Sequence, residues 1–180
     1  MFLQETEASI AVFDLRGFSK MAAELTPVDL GTVLGHFYTY AEDLVLGHGG
    51  RVIKFAGDAV IAVWLRHEID QHQKRALQCV AAAASGKGAW IETNRASQMA
   101  PLDYSVAAAS GPVLAGHIGT ERLKSFDVLG DAVNVAAKLT TVATVRGYDH
   151  IVTFRHPDLP LHEVEGIELG GRHLRLYRLD

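Results

Sequence analysis

The chain has 180 residues, 48% hydrophobic and 21% charged, which is the ordinary range for one soluble domain and excludes disordered, collagen-like and low-complexity classes. Seventeen Lys and Arg stand against 21 Asp and Glu, a net charge of -4 without a basic stripe, so a nucleic-acid partner is not expected. The single cysteine, Cys79, can form neither an internal disulfide nor a thiolate zinc site and suits a reducing, cytoplasmic setting.

Met1 to Glu7 lacks the basic and then apolar order of a secretion signal. Ser9 to Leu15 is a β-branched and aromatic run, read as a buried strand that ends at Asp14, and Gly17 then separates it from a helical pattern. Thr26-Pro27-Val28-Asp29 has the form of a helix start, with Thr26 as N-cap, Pro27 at the first position and Asp29 in capping-box spacing. Leu30, Val33, Leu34, Phe37, Ala41, Leu44 and Val45 follow at three- and four-residue intervals, and the helix stops at Gly47-His48-Gly49-Gly50.

Arg51 to Trp64 reads as two short strands about Ala56-Gly57-Asp58, which puts Asp58 at a hairpin tip. A second long helix is expected from about Asp70 to Arg95, weakened at Gly86 and Gly88. Its apolar stretch, Val80 to Ala84, is far shorter than the roughly 20 residues that span a bilayer, so no membrane segment is expected. Ser85-Gly86-Lys87-Gly88 lacks the first Gly and the Ser/Thr of a phosphate-binding loop and is read as a flexible break in the helix. Leu102 to Ser110 and Val113 to Ile118 are taken as two strands about a turn at Gly111-Pro112, and Phe126 to Leu129 as another strand closed by Gly130. Asp131 is expected to cap a helix carrying Val133, Val135, Ala136 and Leu139, and Gly170-Gly171 to join the strands Val164 to Leu169 and His173 to Leu179. The order of elements predicts one α/β domain over residues 1–180, an α+β sandwich with helices over a mostly antiparallel sheet.

Asp14 and Asp58 both stand where strands expose their ends, and two carboxylates from neighbouring strands suit Mg²⁺, which keeps water and takes further oxygens from a phosphate substrate. Either Asp alone is equally an ordinary strand-end or turn residue. The words around them decide otherwise: Phe13-Asp14-Leu15-Arg16-Gly17-Phe18-Ser19, Gly49 to Asp58, Gly111 to Gly119, and Phe126 to Leu139 occur in that order. Together they closely resemble the catalytic domain of class III nucleotidyl cyclases, the adenylate and guanylate cyclase family, over about Ser9 to Tyr177.

The resemblance implies a ferredoxin-like βαββαβ core with additional strands and active sites between two head-to-tail protomers. It implies that Asp14 and Asp58 hold two Mg²⁺ or Mn²⁺ ions per site, and that backbone N–H groups at Gly17, Phe18 and Ser19 face the triphosphate, with Arg16 left solvated. Lys54 and Asp127 match the base-reading pair, and an ammonium donor beside a carboxylate acceptor complements the N1 and 6-amino edge of adenine. Asn134 matches the asparagine that positions the ribose, and Lys138, four residues on, stands where the family usually has a phosphate-gripping Arg. A triphosphate-binding Lys expected before the last strand is absent, and Arg172 is the candidate substitute. The implied activity is an adenylate cyclase that converts ATP to 3′,5′-cyclic AMP and pyrophosphate as a homodimer. The alternatives are a cyclase for GTP or a pyrimidine nucleotide, or a weak or degenerate domain serving as a nucleotide-binding or dimerising module, which the departures at Lys138 and Arg172 favour.

Overall fold

The computed structural model describes residues 3–96 and 102–180, so Met1 and Phe2 of the amino-terminal stretch lie outside the described residues. The elements run β1 (Leu3–Arg16), α1 (Phe18–Glu24), α2 (Pro27–Gly47), β2 (Arg51–Ala56), β3 (Ala59–Leu65), α3 (His72–Ala96), β4 (Asp103–Gly119), β5 (Lys124–Leu129), α4 (Asp131–Arg146), β6 (His150–Val152), β7 (Leu161–Leu169) and β8 (Arg172–Leu179). The sheet has the order β2-β3-β1-β4-β6-β8-β7, with β5 paired to β4. Its first four strands, β2-β3-β1-β4, with α2 and α3 packed on the sheet, form the expected ferredoxin-like core. All pairings are antiparallel except β4 with β6, which α4 connects.

Why β1 reads as a continuous apolar run is explained by its position: it is central and covered on both faces. Ala11, Phe13 and Leu15 pack with Val33, Phe37 and Ala41 of α2 and with Leu77 and Val80 of α3. Ile10 and Val12 face the other way, toward Ala132 and Ala136 of α4. Period-2 alternation therefore survives as two different cores rather than as core and solvent. Phe37, Tyr40, Trp90 and Tyr104 form an aromatic cluster between α2, α3 and β4, with ring centroids 5.0 to 6.0 Å apart.

The start of α2 follows its sequence: the Thr26 hydroxyl accepts from the Asp29 backbone N–H at 3.2 Å and donates to the Asp29 carboxylate at 2.7 Å. Three other expectations fail. No turn interrupts β4 at Gly111-Pro112, because residues 103–116 pair without a break against β1, with Pro112 opposite Glu7. α3 runs unbroken through Gly86-Lys87-Gly88, and Lys87 is buried rather than exposed at a flexible break. Its ammonium reaches both Asp103 and Asp149, and this pairing compensates the Gly cost in the helix. Finally, the N-cap of α4 is Gly130 and Asp131 is the first helical residue, its carboxylate held by Arg172 at 2.7 Å instead of capping.

Among the described residues no helix is long and apolar enough to cross a membrane. Cys79 lies on the buried face of α3, and desolvation pushes its thiol up to about 12.

Candidate active site

β1 does not end at Asp14 as expected but runs on to Arg16, because its pairing with β4 continues past the end of β3. Asp14 is the last residue paired with β3, opposite Ala59, and the Leu15 N–H donates to the Asp58 carbonyl at 3.2 Å. This main-chain bond ties the end of β1 to the β2–β3 turn and so sets the two carboxylates beside each other. The turn has two residues, Gly57 and Asp58, and Gly57 takes φ +63, a conformation that strains residues with a Cβ. Neither carboxylate has a hydrogen-bond or ion-pair partner among the described residues. Burial first, and the negative charge of Asp58 second, raise Asp14 to about 6.

Tyr38 of α2, absent from the sequence reading, clamps this turn. Its hydroxyl donates to the Gly57 carbonyl and its ring stacks on Phe55 with centroids 4.3 Å apart. Desolvation, and then the charge of Asp58, raise its pKa. The only hint in the sequence is that Tyr38 follows the core residue Phe37, and adjacency in a helix carries no information about a contact 19 residues away.

After Asp14 the chain turns at Gly17, which takes φ +72 and serves as the N-cap of α1. The N–H groups of Phe18 and Ser19 begin that helix and therefore have no acceptor within it. Arg16 is not solvated as expected. It is half-buried, donating to Asp103 at 3.1 Å and to the Tyr148 carbonyl, with Asp149 at 3.7 Å. Arg16 and Lys87 thus share two carboxylates, a network whose members are far apart in sequence and carry no local signal.

Lys54 of β2 and Asp127 of β5 meet directly, ammonium to carboxylate at 2.6 Å, and the other Asp127 oxygen accepts from the Val128 N–H at 2.8 Å. Both side chains remain partly open to solvent. Asn134 and Lys138 lie on one exposed stripe of α4, with no side-chain partner among the described residues. Asp131 begins the same stripe three residues before Asn134, so its ion pair draws Arg172 to that end of the helix. Arg172 and Asp131 also border a cleft of about 330 Å³ with Ser110, Pro112 and Thr153. No hydrogen bond or ion pair among the described residues joins the Asp14 and Asp58 site to Lys54 and Asp127 or to the α4 stripe. The predicted residues thus fall into three sets that no such contact links among the described residues.

Two carboxylates with no cation partner among the described residues, one of them pushed up to about 6 by desolvation and by the charge of the other, fit a divalent ion, which supplies the missing positive charge. No group of three or more His, Cys, Asp or Glu among the described residues forms a fuller metal cage, so water or substrate oxygens must complete the shell.

The chain is 31% identical over 169 residues to an adenylate cyclase of Mycobacterium tuberculosis, covering 92% of this chain and 37% of that protein. It is 25% identical over 134 residues to adenylate cyclase 1 of Rhizobium meliloti, covering 74% of this chain and 20% of that one. It therefore spans about a third or less of the length of these curated relatives. The fold superposes on the adenylyl cyclase CyaB from P. aeruginosa with a TM-score of 0.85 at 18% identity, covering 100% of this chain and 96% of that one. It also superposes on the guanylate cyclase domain of RhGC from Catenaria anguillulae, solved with GTP, with a TM-score of 0.80 at 16% identity, covering 98% of each chain. Residues 3–148 match the family model of the adenylate and guanylate cyclase catalytic domain, and with the β1 and hairpin aspartates already in place, the chain belongs to that family.

Proposed function

We propose that this domain is an adenylate cyclase, forming 3′,5′-cyclic AMP and pyrophosphate from ATP at two equivalent sites shared across a head-to-tail homodimer. The observation that carries the reading is the Lys54–Asp127 contact at 2.6 Å, which holds one donor and one acceptor side by side at a partly open surface. Adenine presents an acceptor at N1 and a donor at its 6-amino group, the complement of that pair, whereas guanine presents the reverse.

Asp14 and Asp58 of one protomer would hold two divalent ions. When bound, these lower the pKa of the ribose 3′-hydroxyl and neutralise the β- and γ-phosphates. The Phe18 and Ser19 N–H groups donate to triphosphate oxygens, with Arg172 supplying further positive charge. From the other protomer Lys54 and Asp127 orient the base and Asn134 the ribose, leaving Lys138 to meet the charge that grows on the α-phosphate. The 3′-hydroxyl gives its proton to solvent water, its oxygen bonds to the α-phosphorus as the bond from that phosphorus to the oxygen bridging to the β-phosphate breaks, and pyrophosphate leaves. Two equivalent shared sites are supported by the presence of all these residues in one chain.

The test is to incubate the purified chain with each nucleoside triphosphate in turn, with Mg²⁺ or Mn²⁺, and to identify the cyclic product. Cyclic AMP from ATP is expected, and cyclic GMP as the main product would overturn the base assignment. Mixing Asp58→Ala with Asn134→Ala chains should restore up to about half the parent activity per dimer, because one composite site is then built from intact halves. No recovery under exchange conditions would exclude the shared site.

A further inference from the structure

Asp14 has a neighbour that the reaction as described does not use. In the antiparallel β1–β4 pair, Asp14 lies directly opposite Ser105. Residues directly opposite project from the same face of a sheet, with Cβ atoms about 5 Å apart. The alternation on both strands identifies that face. Ile10 and Val12 on β1 and Ala109 on β4 pack toward α4, whereas Phe13, Leu15, Tyr104 and Val106 pack toward α2 and α3. Asp14 and Ser105 therefore share the α4 side.

Ser105 is fully buried, and its hydroxyl has no hydrogen-bond partner among the described residues. Two other serines on the same strand pair behave differently. Ser9 and Ser110, also directly opposite each other, are hydrogen-bonded together at 3.3 Å, and Ser110 donates to the Ala8 carbonyl at 3.0 Å. The next pair along from Asp14 and Ser105, Arg16 opposite Asp103, is likewise engaged, at 3.1 Å. An orphaned buried hydroxyl costs stability, and Ala at this position would avoid the cost without changing the backbone. The hydroxyl thus stands unpaired beside a carboxylate that is itself unpaired.

We propose that Ser105 is a positioning residue for Asp14: once Asp14 holds a divalent ion, the Ser105 hydroxyl donates to the carboxylate oxygen turned away from the ion and fixes the orientation of the ligand. This rests on the assignment of Asp14 as a metal ligand. The arrangement is a second layer of hydrogen bonding of the kind that orients metal-binding carboxylates. It also accounts for a polar residue immediately before the apolar run Val106 to Ala109 at the centre of the sheet.

The experiment compares the full chain with Ser105→Ala, Ser105→Thr and Asp14→Asn in two measurements. The first is thermal unfolding without metal, in chelator. The second is Mn²⁺ titration followed by the electron paramagnetic resonance of the free ion, in the presence of 3′-deoxy-ATP, which cannot cyclise. Ser105→Ala should raise the metal-free melting temperature, by about 2 °C, because it removes the orphan. The same variant should weaken Mn²⁺ binding about 10-fold. Ser105→Thr, which keeps the hydroxyl, should bind Mn²⁺ within about 3-fold of the parent. Asp14→Asn should lose most of the binding. Parent-like Mn²⁺ affinity in Ser105→Ala with affinity lost in Asp14→Asn would overturn the role of Ser105 alone. Equal weakening in the Ala and Thr variants would overturn it as well, since the effect would then follow packing rather than the hydroxyl. Parent-like affinity in Asp14→Asn would instead overturn the metal assignment itself.

Discussion

Two pairs of aspartates at the same end of the sheet make opposite use of their charge. Asp103 and Asp149 share Lys87 and Arg16, whereas Asp14 and Asp58 lie beside each other with no cation partner among the described residues. The shifts follow. Burial works to raise Asp149, but the hydrogen bond and charge of Lys87, with help from Arg16 and Arg178, bring it below the ordinary carboxylate value. Burial and Asp58 raise Asp14 to about 6, with nothing opposing. A residue only two positions along β1 separates the two cases: Arg16 completes a balanced structural network, and Asp14 faces an unbalanced site. Compensated charge holds the fold together there, and uncompensated charge reserves a place for a cation.

The largest effect expected from breaking the unbalanced pair is on activity. Asp58→Ala should lower cyclic AMP formation roughly 10³-fold or more, the scale of several kcal/mol of lost transition-state stabilisation, with circular dichroism and melting close to the parent. Breaking the balanced pair should do the reverse. Lys87→Met leaves Asp103 and Asp149 without their shared ammonium, and because both acids are partly solvated the loss should be about 2 kcal/mol, below that of a fully buried pair. The melting temperature should fall by about 6 °C, measured by calorimetry. A Lys87→Met chain as stable as the parent would show that the network is ornamental.

A smaller effect tests the third group. If Lys138 meets the α-phosphate, a guanidinium there adds a second contact arm, and Lys138→Arg should raise kcat roughly 10-fold with little change in KM. Lys138→Ala should fall well below the parent in the same steady-state assay. Parent-like kinetics in both variants would return Lys138 to a solvated helix position and favour the degenerate module.

The smallest effect is on metal-free stability and has a definite sign. A folded pKa of about 6 lies above the ordinary 3.8, so the contribution of Asp14 is fully present below pH 3.8 and is lost as the pH rises through 6. Asp149 runs the other way: its contribution is present above 3.8 and is lost as the pH falls through its depressed folded value. In chelator, Asp14→Asn should therefore stabilise the chain at pH 8 by about 1 kcal/mol, after discounting for the solvent that reaches this half-buried carboxylate. The gain should vanish by about pH 4, near the ordinary carboxylate value. A destabilised Asp14→Asn chain at pH 8 would mean that the carboxylate already has a compensating partner.

Elements whose cause is local were legible in the sequence. The Thr26-Pro27 helix start, the Gly57-Asp58 turn and the Gly170-Gly171 hairpin each depend on residues within a few positions, and each appears where expected. Features set by partners distant in the chain were not legible. Gly111-Pro112 has the composition of a turn, yet the long pairing with β1 keeps β4 extended through it. Lys87 between two glycines looks like a break, and only the approach of Asp103 and Asp149 makes it a structural cation. Within the candidate site, Asp14, Asp58, Lys54 and Asp127 stand out because whole motifs carry them; the charge of Asp58 acts on Asp14, and Lys54 pairs with Asp127. Tyr38 and Ser105 lay outside those motifs. Their significance lies in what they meet, the β2–β3 turn for Tyr38 and Asp14 across the strand pair for Ser105, and residue type alone does not encode it.

The buried position of Cys79 has a practical consequence. With a thiol pushed up to about 12, Cys79 stays in the thiol form at neutral pH, and its sulfur is enclosed by α3 and the sheet. Alkylating reagents and mild oxidants should therefore pass this chain by. A cysteine introduced at an exposed site such as Leu123 or Leu129 would become the sole reactive sulfur without any change at Cys79. Spin or fluorescent labels placed there could then follow the association of two protomers on the native background.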